Sequence, residues 1–224
     1  MFNLNFNVMG KFNDGIFGSF SGRVGNVVGA NWRGIDVLRK RPRKKPGRVG
    51  TASQLEQRAK FSMIIQFLNP IKEVAGTYFS KETKTKSRFN LATGYNLKNA
   101  LIDGPGNTFT LDFSKVLISK GELRGLEGGA LAAAAGQVLD LSWTDNSGQG
   151  SAAATDLVLA VVYSPSLDLF QMYNPSTAVR GDASVQLTLP AYYNATEVHV
   201  WATVVSSDKK VAAVSTYMGT VTVT

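Results

Sequence analysis

The chain of 224 residues has no cysteine and a single histidine. Without thiols there is no disulfide, no cysteine nucleophile, no zinc knuckle and no iron–sulfur cluster. His199 sits in the run Val198-His199-Val200-Trp201 with no nucleophile elbow nearby, so it reads as a sheet-surface side chain rather than a triad base. Nucleotide-binding glycine motifs are missing too. Neither G-x-x-x-x-G-K-[ST] nor G-x-G-x-x-G occurs, and Gly22-Arg23-Val24-Gly25 has only the outline of a short GxxG loop. No segment approaches the roughly 18 uninterrupted apolar residues of a membrane helix; the longest weakly polar run, Gly128 to Val138, is mostly Ala and Gly. The first eight residues alternate Phe, Leu or Val with Asn and lack the basic flank and apolar block of a signal peptide, and Met9-Gly10-Lys11 reads as an alternative start. These absences lead us to expect a non-enzyme with no catalytic residue, no metal, no cofactor and no small-molecule substrate. They also lead us to expect no membrane insertion, and a location in the cytoplasm or within an assembly such as a virion.

What is present is ample apolar material and unevenly spread charge. Apolar residues make up 44% of the chain and aromatics 10%, enough for a sizeable core. The net charge of +8 divides sharply: residues 1–100 hold 18 Lys/Arg against 5 Asp/Glu, and residues 101–224 hold 6 against 11. Opposite fields on two halves suit different partners, or head-to-tail contact between copies. The charge peaks where Arg33, Arg39, Lys40, Arg41, Arg43, Lys44, Lys45 and Arg48 meet only Asp36. Pro42 and Pro46 forbid a regular helix there, so the segment reads as an extended arm. Such an arm either contacts a polyanion or acidic protein surface, through counterion release, or is a solvated linker.

The spacing predicts four segments: an N-terminal extension over 1–15, a glycine-rich β-ribbon and basic arm over 16–50, a helical region over 51–106, and a β-sandwich over 107–224. In the ribbon, β-branched residues alternate with glycines, with turns expected at Ser21-Gly22 and Arg33-Gly34. Val27, Val28, Trp32 and Ile35 are the expected assembly interface, because so short a ribbon cannot bury them alone. Ser53-Gln54-Leu55-Glu56 has the form of a capping box and opens a helix ended by Pro70, with Leu55, Ala59, Met63 and Phe67 on one stripe. A second helix is expected over Ile71–Phe79 and a third over Ser87–Ile102, kinked near Gly94.

Beyond Gly104-Pro105-Gly106, seven strands are expected near Phe109–Ser119, Gln137–Thr144, Asp156–Tyr163, Asp168–Tyr173, Ala183–Leu189, Glu197–Ser206 and Val211–Val223. This is a mainly β (overall α+β) chain ending in an immunoglobulin- or fibronectin-III-like sandwich, with Trp143 or Trp201 as the plug between sheets and alternate strand residues wetted. Asp140, Asp145 and Asp156 lie around Trp143-Thr144-Asp145-Asn146-Ser147-Gly148, which lacks calcium-loop spacing and reads as a tight turn. Tyr163, Tyr173, Tyr192, Tyr193 and Tyr217 suit either packing or sugar stacking.

The chain resembles the DUF6266 family of Bacteroidota proteins. The likeness rests on Gly18-Ser19-Phe20-Ser21-Gly22-Arg23-Val24-Gly25-Asn26-Val27-Val28-Gly29 with Trp32-Arg33-Gly34, and on Gln57-Arg58-Ala59-Lys60-Phe61. It rests further on Lys115-Val116-Leu117-Ile118-Ser119-Lys120-Gly121 and on Trp143-Thr144-Asp145-Asn146-Ser147. The resemblance implies no activity. In layout the chain is similar to phage-type virion, tail or filament subunits, whose arms reach across to neighbours. The resulting expectation is a non-catalytic structural protein that self-associates or docks on a larger assembly. Nucleic-acid binding through Arg39–Arg48 and carbohydrate binding by the sandwich are the alternatives.

Overall fold

A computed structural model describes residues 11–12, 20–32, 34–41, 47, 49–83, 85–105, 108–175 and 178–224. Its contacts separate two units, Met1–Thr51 and Ala52–Thr224. The first, the ribbon, is an antiparallel sheet of β1 (Lys11–Phe12), β2 (Phe20–Val24), β3 (Val27–Trp32) and β4 (Ile35–Lys40), side by side in chain order. Gly25, at φ +56°, takes the first place of the two-residue turn between β2 and β3. Gly34, at φ +80°, turns β3 into β4. The Arg33-Gly34 turn is thus where the sequence puts it, although Arg33 itself lies outside the described residues. Ser21-Gly22, by contrast, falls inside β2.

The second unit, the body, begins with α1 (Ala52–Leu68), α2 (Lys72–Tyr78) and α3 (Arg88–Asn99), followed by a small hairpin of β5 (Leu101–Asp103) and β6 (Phe109–Leu111). Seven strands follow: β7 (Glu127–Ala134), β8 (Val138–Thr144), β9 (Leu157–Ser164), β10 (Leu169–Tyr173), β11 (Ser184–Thr188), β12 (Glu197–Val205) and β13 (Thr216–Thr222). They form two antiparallel sheets, β11-β8-β7 and β10-β9-β12-β13. Counted along the chain, the first, second and fifth strands make one sheet and the others make the second. This is the immunoglobulin constant-type order with the fourth strand moved across, a fibronectin-III-type sandwich.

Strand alternation serves two cores. Val158, Ala160 and Val162 of β9 and Val198, Val200, Ala202 and Val204 of β12 face the other sheet and meet Leu139, Leu141, Trp143 and Leu187. The intervening residues, Leu159, Val161, Tyr163 and Trp201, face a second core made with Ile64, Phe67, Leu68, Ile71, Val74, Phe79 and Ile118. The expectation of one wetted face therefore fails for the central strands, because the helices cover it. A strand buried on both faces reads as a continuous apolar run, as Leu157 to Tyr163 does. Trp143 is the plug between the sheets, and Trp201 lies on the opposite face under α1. Phe67 docks there edge-on, with ring centroids 5.2 Å from Tyr163, 5.1 Å from Phe170 and 6.2 Å from Trp201.

Several boundaries differ from expectation for local reasons. Ser53 lies within the first turn of α1, which starts at Ala52, and of the expected stripe only Phe67 is buried, since Leu55 and Ala59 are exposed and Met63 is partly buried. The α3 helix is capped by Ser87, whose hydroxyl accepts from the Asn90 N–H (3.3 Å), and it runs unbroken through Gly94. It stops at Asn99, because Leu101–Asp103 enter the hairpin. Buried Asn96 joins α3 to residue 117 in both directions, donating to Leu117 O (2.9 Å) and accepting from Leu117 N (3.0 Å). The expected long strand over Phe109–Ser119 is only β6, followed by a 3-10 turn at Phe113–Lys115. Asp112 causes the break by accepting from the Ser114 backbone (3.1 Å) and hydroxyl (2.5 Å).

Candidate assembly interface

Residues paired across antiparallel strands share a face, so the ribbon's register sorts its side chains. Trp32 pairs with Ile35, Ala30 with Val37, Val28 with Arg39, and Arg23 with Val28. One face therefore carries Val28, Ala30, Trp32, Ile35 and Val37 and ends in the cations Arg23 and Arg39. The other carries Val24, Val27, Gly29, Asn31, Asp36, Leu38 and Lys40. On that second face Asn31 Nδ2 donates to Asp36 Oδ1 (2.8 Å), and Asn31 Oδ1 accepts from Gly34 N (3.1 Å), which fixes the turn. Of the four expected interface residues, Val28, Trp32 and Ile35 share a face, and Val27 lies on the other.

The ribbon buries almost nothing. Gly29 alone is buried among its described side-chain positions, and a Cβ there would lie 2.1 Å from Phe20 O, so only glycine permits that approach. Trp32 is 48% exposed and Leu38 64%, and every residue of β4 is exposed. No strand among the described residues pairs with the outer edge of β4. Charge accompanies this exposure. Residues 1–51 hold 10 Lys/Arg against 2 Asp/Glu, hence +8, whereas residues 52–224 hold 14 of each. The expected extended arm is partly strand: Arg39 and Lys40 end β4, and the Arg41 N–H donates to Asn26 O (2.8 Å). Arg33, Arg43, Lys44, Lys45 and Arg48 lie outside the described residues.

Candidate sites in the body resolve into packing. Fully buried Arg180 distributes its five N–H donors over Asp156 Oδ2 (3.1 and 3.0 Å), Asn146 Oδ1 (2.5 Å), Gly125 O (3.2 Å) and Arg124 O (2.6 Å). Trp143 Nε1 donates to the Arg180 carbonyl (2.8 Å) and Asn146 Nδ2 to Gly125 O (3.0 Å), so the Trp143-to-Ser147 segment cradles this ion pair. Asp145 Oδ1 accepts from Ser147 N (2.9 Å), as a turn residue does. Asp145, Asn146 and Asp156 are thus committed to structure. Arg180-Gly181-Asp182 is an RGD tripeptide that sequence reading passed over. Its arginine is sealed in this network and its aspartate accepts from Val179 N (2.8 Å), so it is not displayed as a recognition loop.

His199 is also more enclosed than expected. It is buried among Phe113, Trp201 and Tyr217, with Nδ1 2.7 Å from the Tyr217 hydroxyl. Burial lowers its pKa, and Glu197 opposes this more weakly. Of the five tyrosines weighed for sugar stacking, Tyr192 alone is exposed. Burial and the bond to Asp168 push Tyr163 up to about 12. Tyr173, whose hydroxyl donates to Thr188 O (2.7 Å), is also raised to about 12, chiefly by burial. No helix among the described residues is long and apolar enough to cross a membrane.

An α+β protein with a three-helix layer on a fibronectin-III-type sandwich, preceded in sequence by a basic ribbon, is the class these observations define. The chain belongs to DUF6266, a family of unknown function whose model matches residues 19–219, a span that includes β2 to β4 of the ribbon as well as the body. No curated protein matches it.

Proposed function

We propose that this protein is a non-catalytic assembly subunit whose ribbon docks on the body of a second copy. The observation that carries the reading is the face of Val28, Ala30, Trp32, Ile35 and Val37, beside a β4 edge that no strand among the described residues pairs with. Fully burying an exposed Val or Ile gains about 1.5–3 kcal/mol, and less where, as at Val28, the side chain starts partly buried. Association costs about 4–15 kcal/mol in lost freedom, so the face supports association without guaranteeing tightness. Charge selects the geometry. Ribbon against ribbon would place +8 against +8, whereas ribbon against body places it on a neutral surface, which favours a head-to-tail contact. A head-to-tail contact builds a ring where its rotation closes and a filament where it does not, in keeping with a structural role.

A second reading is supported by the same charge. The protein's entire net charge lies in residues 1–51, and exposed Trp32 shares a face with Arg39, a pairing suited to single-stranded nucleic acid. Light scattering on the intact chain and on residues 52–224, with absorbance at 260 and 280 nm, separates the two. The assembly reading expects nucleic-acid-free multimers that the truncation reduces to monomers. Monomers carrying nucleic acid released by salt would replace it with the second reading.

A further inference from the structure

The body contains a cleft that neither the ribbon nor the sandwich core accounts for. Its cavity is ≈ 330 Å³, and three segments distant in sequence line it: the end of α2 with the loop into α3, residues 120–122, and residues 210–212. The segments are held together by backbone bonds. Phe79 and Lys120 form a parallel bridge in which Ser80 N donates to Lys120 O (2.5 Å) and Lys120 N to Tyr78 O (3.0 Å). Leu123 N donates to Ala212 O (3.1 Å). Gly121 permits the last approach, because a Cβ there would lie 1.9 Å from Ala212 O. The Lys115-to-Gly121 motif is thereby explained: Val116 and Ile118 enter the core, Ser119 bonds Thr203 (2.8 Å), and Lys120-Gly121 reach the cleft.

Four cations, Lys81, Arg88, Lys120 and Lys210, line the cleft against one carboxylate, Glu122. Lys81 pairs with Glu122 at 2.9 Å and Lys210 with Asp208 at 3.4 Å, both exposed pairs of the weakly held kind. Arg88 donates to the Thr77 carbonyl, and Lys120 stands 5.0 Å over the Tyr95 ring. In a unit whose cations and carboxylates are equal in number, the fold gathers cations from three segments around a concavity with Tyr78 and Val211 among its walls. Converging like charges repel, and an anion relieves them.

We infer that this cleft binds a small organic anion. A phosphate or carboxylate group sits among Arg88, Lys120 and the rim lysines, and the ligand's ring or apolar body lies against Tyr78 and Val211. The inference is independent of the ribbon and adds a small-molecule ligand where the sequence leads us to expect no small-molecule substrate. Phenyl phosphate is the probe, followed by calorimetry and by amide NMR shifts on the full chain. Binding is expected with shifts centred on 78–81, 120–122 and 210–212, tighter for phenyl phosphate than for inorganic phosphate and undetectable for phenol. The double substitution Arg88→Gln/Lys120→Gln should weaken it at least about tenfold, since each charge-assisted bond contributes more than a neutral one. The charge-matched control Lys98→Gln/Lys115→Gln should leave it within about twofold. Thermal unfolding checks that both variants fold. Shifts elsewhere, equal loss in the control, or no loss in the cleft variant would overturn the inference.

Discussion

The ribbon and the body are made of similar strands with opposite fates. Both alternate Val, Leu, Ile and Trp with polar or small residues, yet Trp201 is fully buried while Trp32 is half in solvent. What separates them is layering. In the body, β9 and β12 lie between a second sheet and the helices, so both of their faces find partners. In the ribbon the sheet has no second layer among its described residues, and its only buried side-chain position is a glycine. Alternation specifies a face, and a face becomes a core only when something covers it. The concentration of all net charge on residues 1–51 follows the same division, since the body's charges cancel.

Five substitutions probe this contrast. The largest effect is expected from the two tryptophans taken as a pair. Trp201→Ala should cost about 3–5 kcal/mol in urea unfolding, whereas Trp32→Ala should change body stability by less than ~0.5 kcal/mol. Equal costs would erase the distinction between the units. Next, Arg180→Ala leaves Asp156 buried without its partner and should cost ~3 kcal/mol or more. In a double-mutant cycle with Asp156→Ala the losses should be far from additive, and additivity would remove the network from the account. The smallest effect concerns pH. His199 has a folded pKa below its ordinary 6.5, so the unfolded state binds the proton more readily. Stability is therefore full above that value and falls as pH drops through it toward the folded pKa. His199→Phe should flatten that part of the stability profile. An unchanged slope would assign it to carboxylates instead.

How far the sequence reveals this depends on the residues. Alternating large side chains mark β8, β9 and β12, and the sandwich is legible from them. The β7 strand is not, because Gly128 to Ala134 has almost no contrast between its faces. Small residues are needed there, as a Cβ on Gly129 would lie 2.8 Å from Met218 Sδ. The long strand expected after Phe109 fails through Asp112, whose local bonds compete with the sheet. Three of the four expected interface residues do share a face, and the fourth differs by the single residue that reverses a strand's side. The cleft was hidden because its cations are up to 129 positions apart in the chain, from Lys81 to Lys210, and meet only through backbone pairing.

In the proposed assembly the edge and apolar face of β4 are covered by another copy. Hydrogen exchange of the peptide spanning 34–41, measured across protein concentration, tests it most directly. Exchange is expected to slow as concentration rises, in step with assembly, while the β9 and β12 peptides remain protected throughout. Assembly with uniformly fast exchange over 34–41 would contradict it and place the contact elsewhere on the molecule.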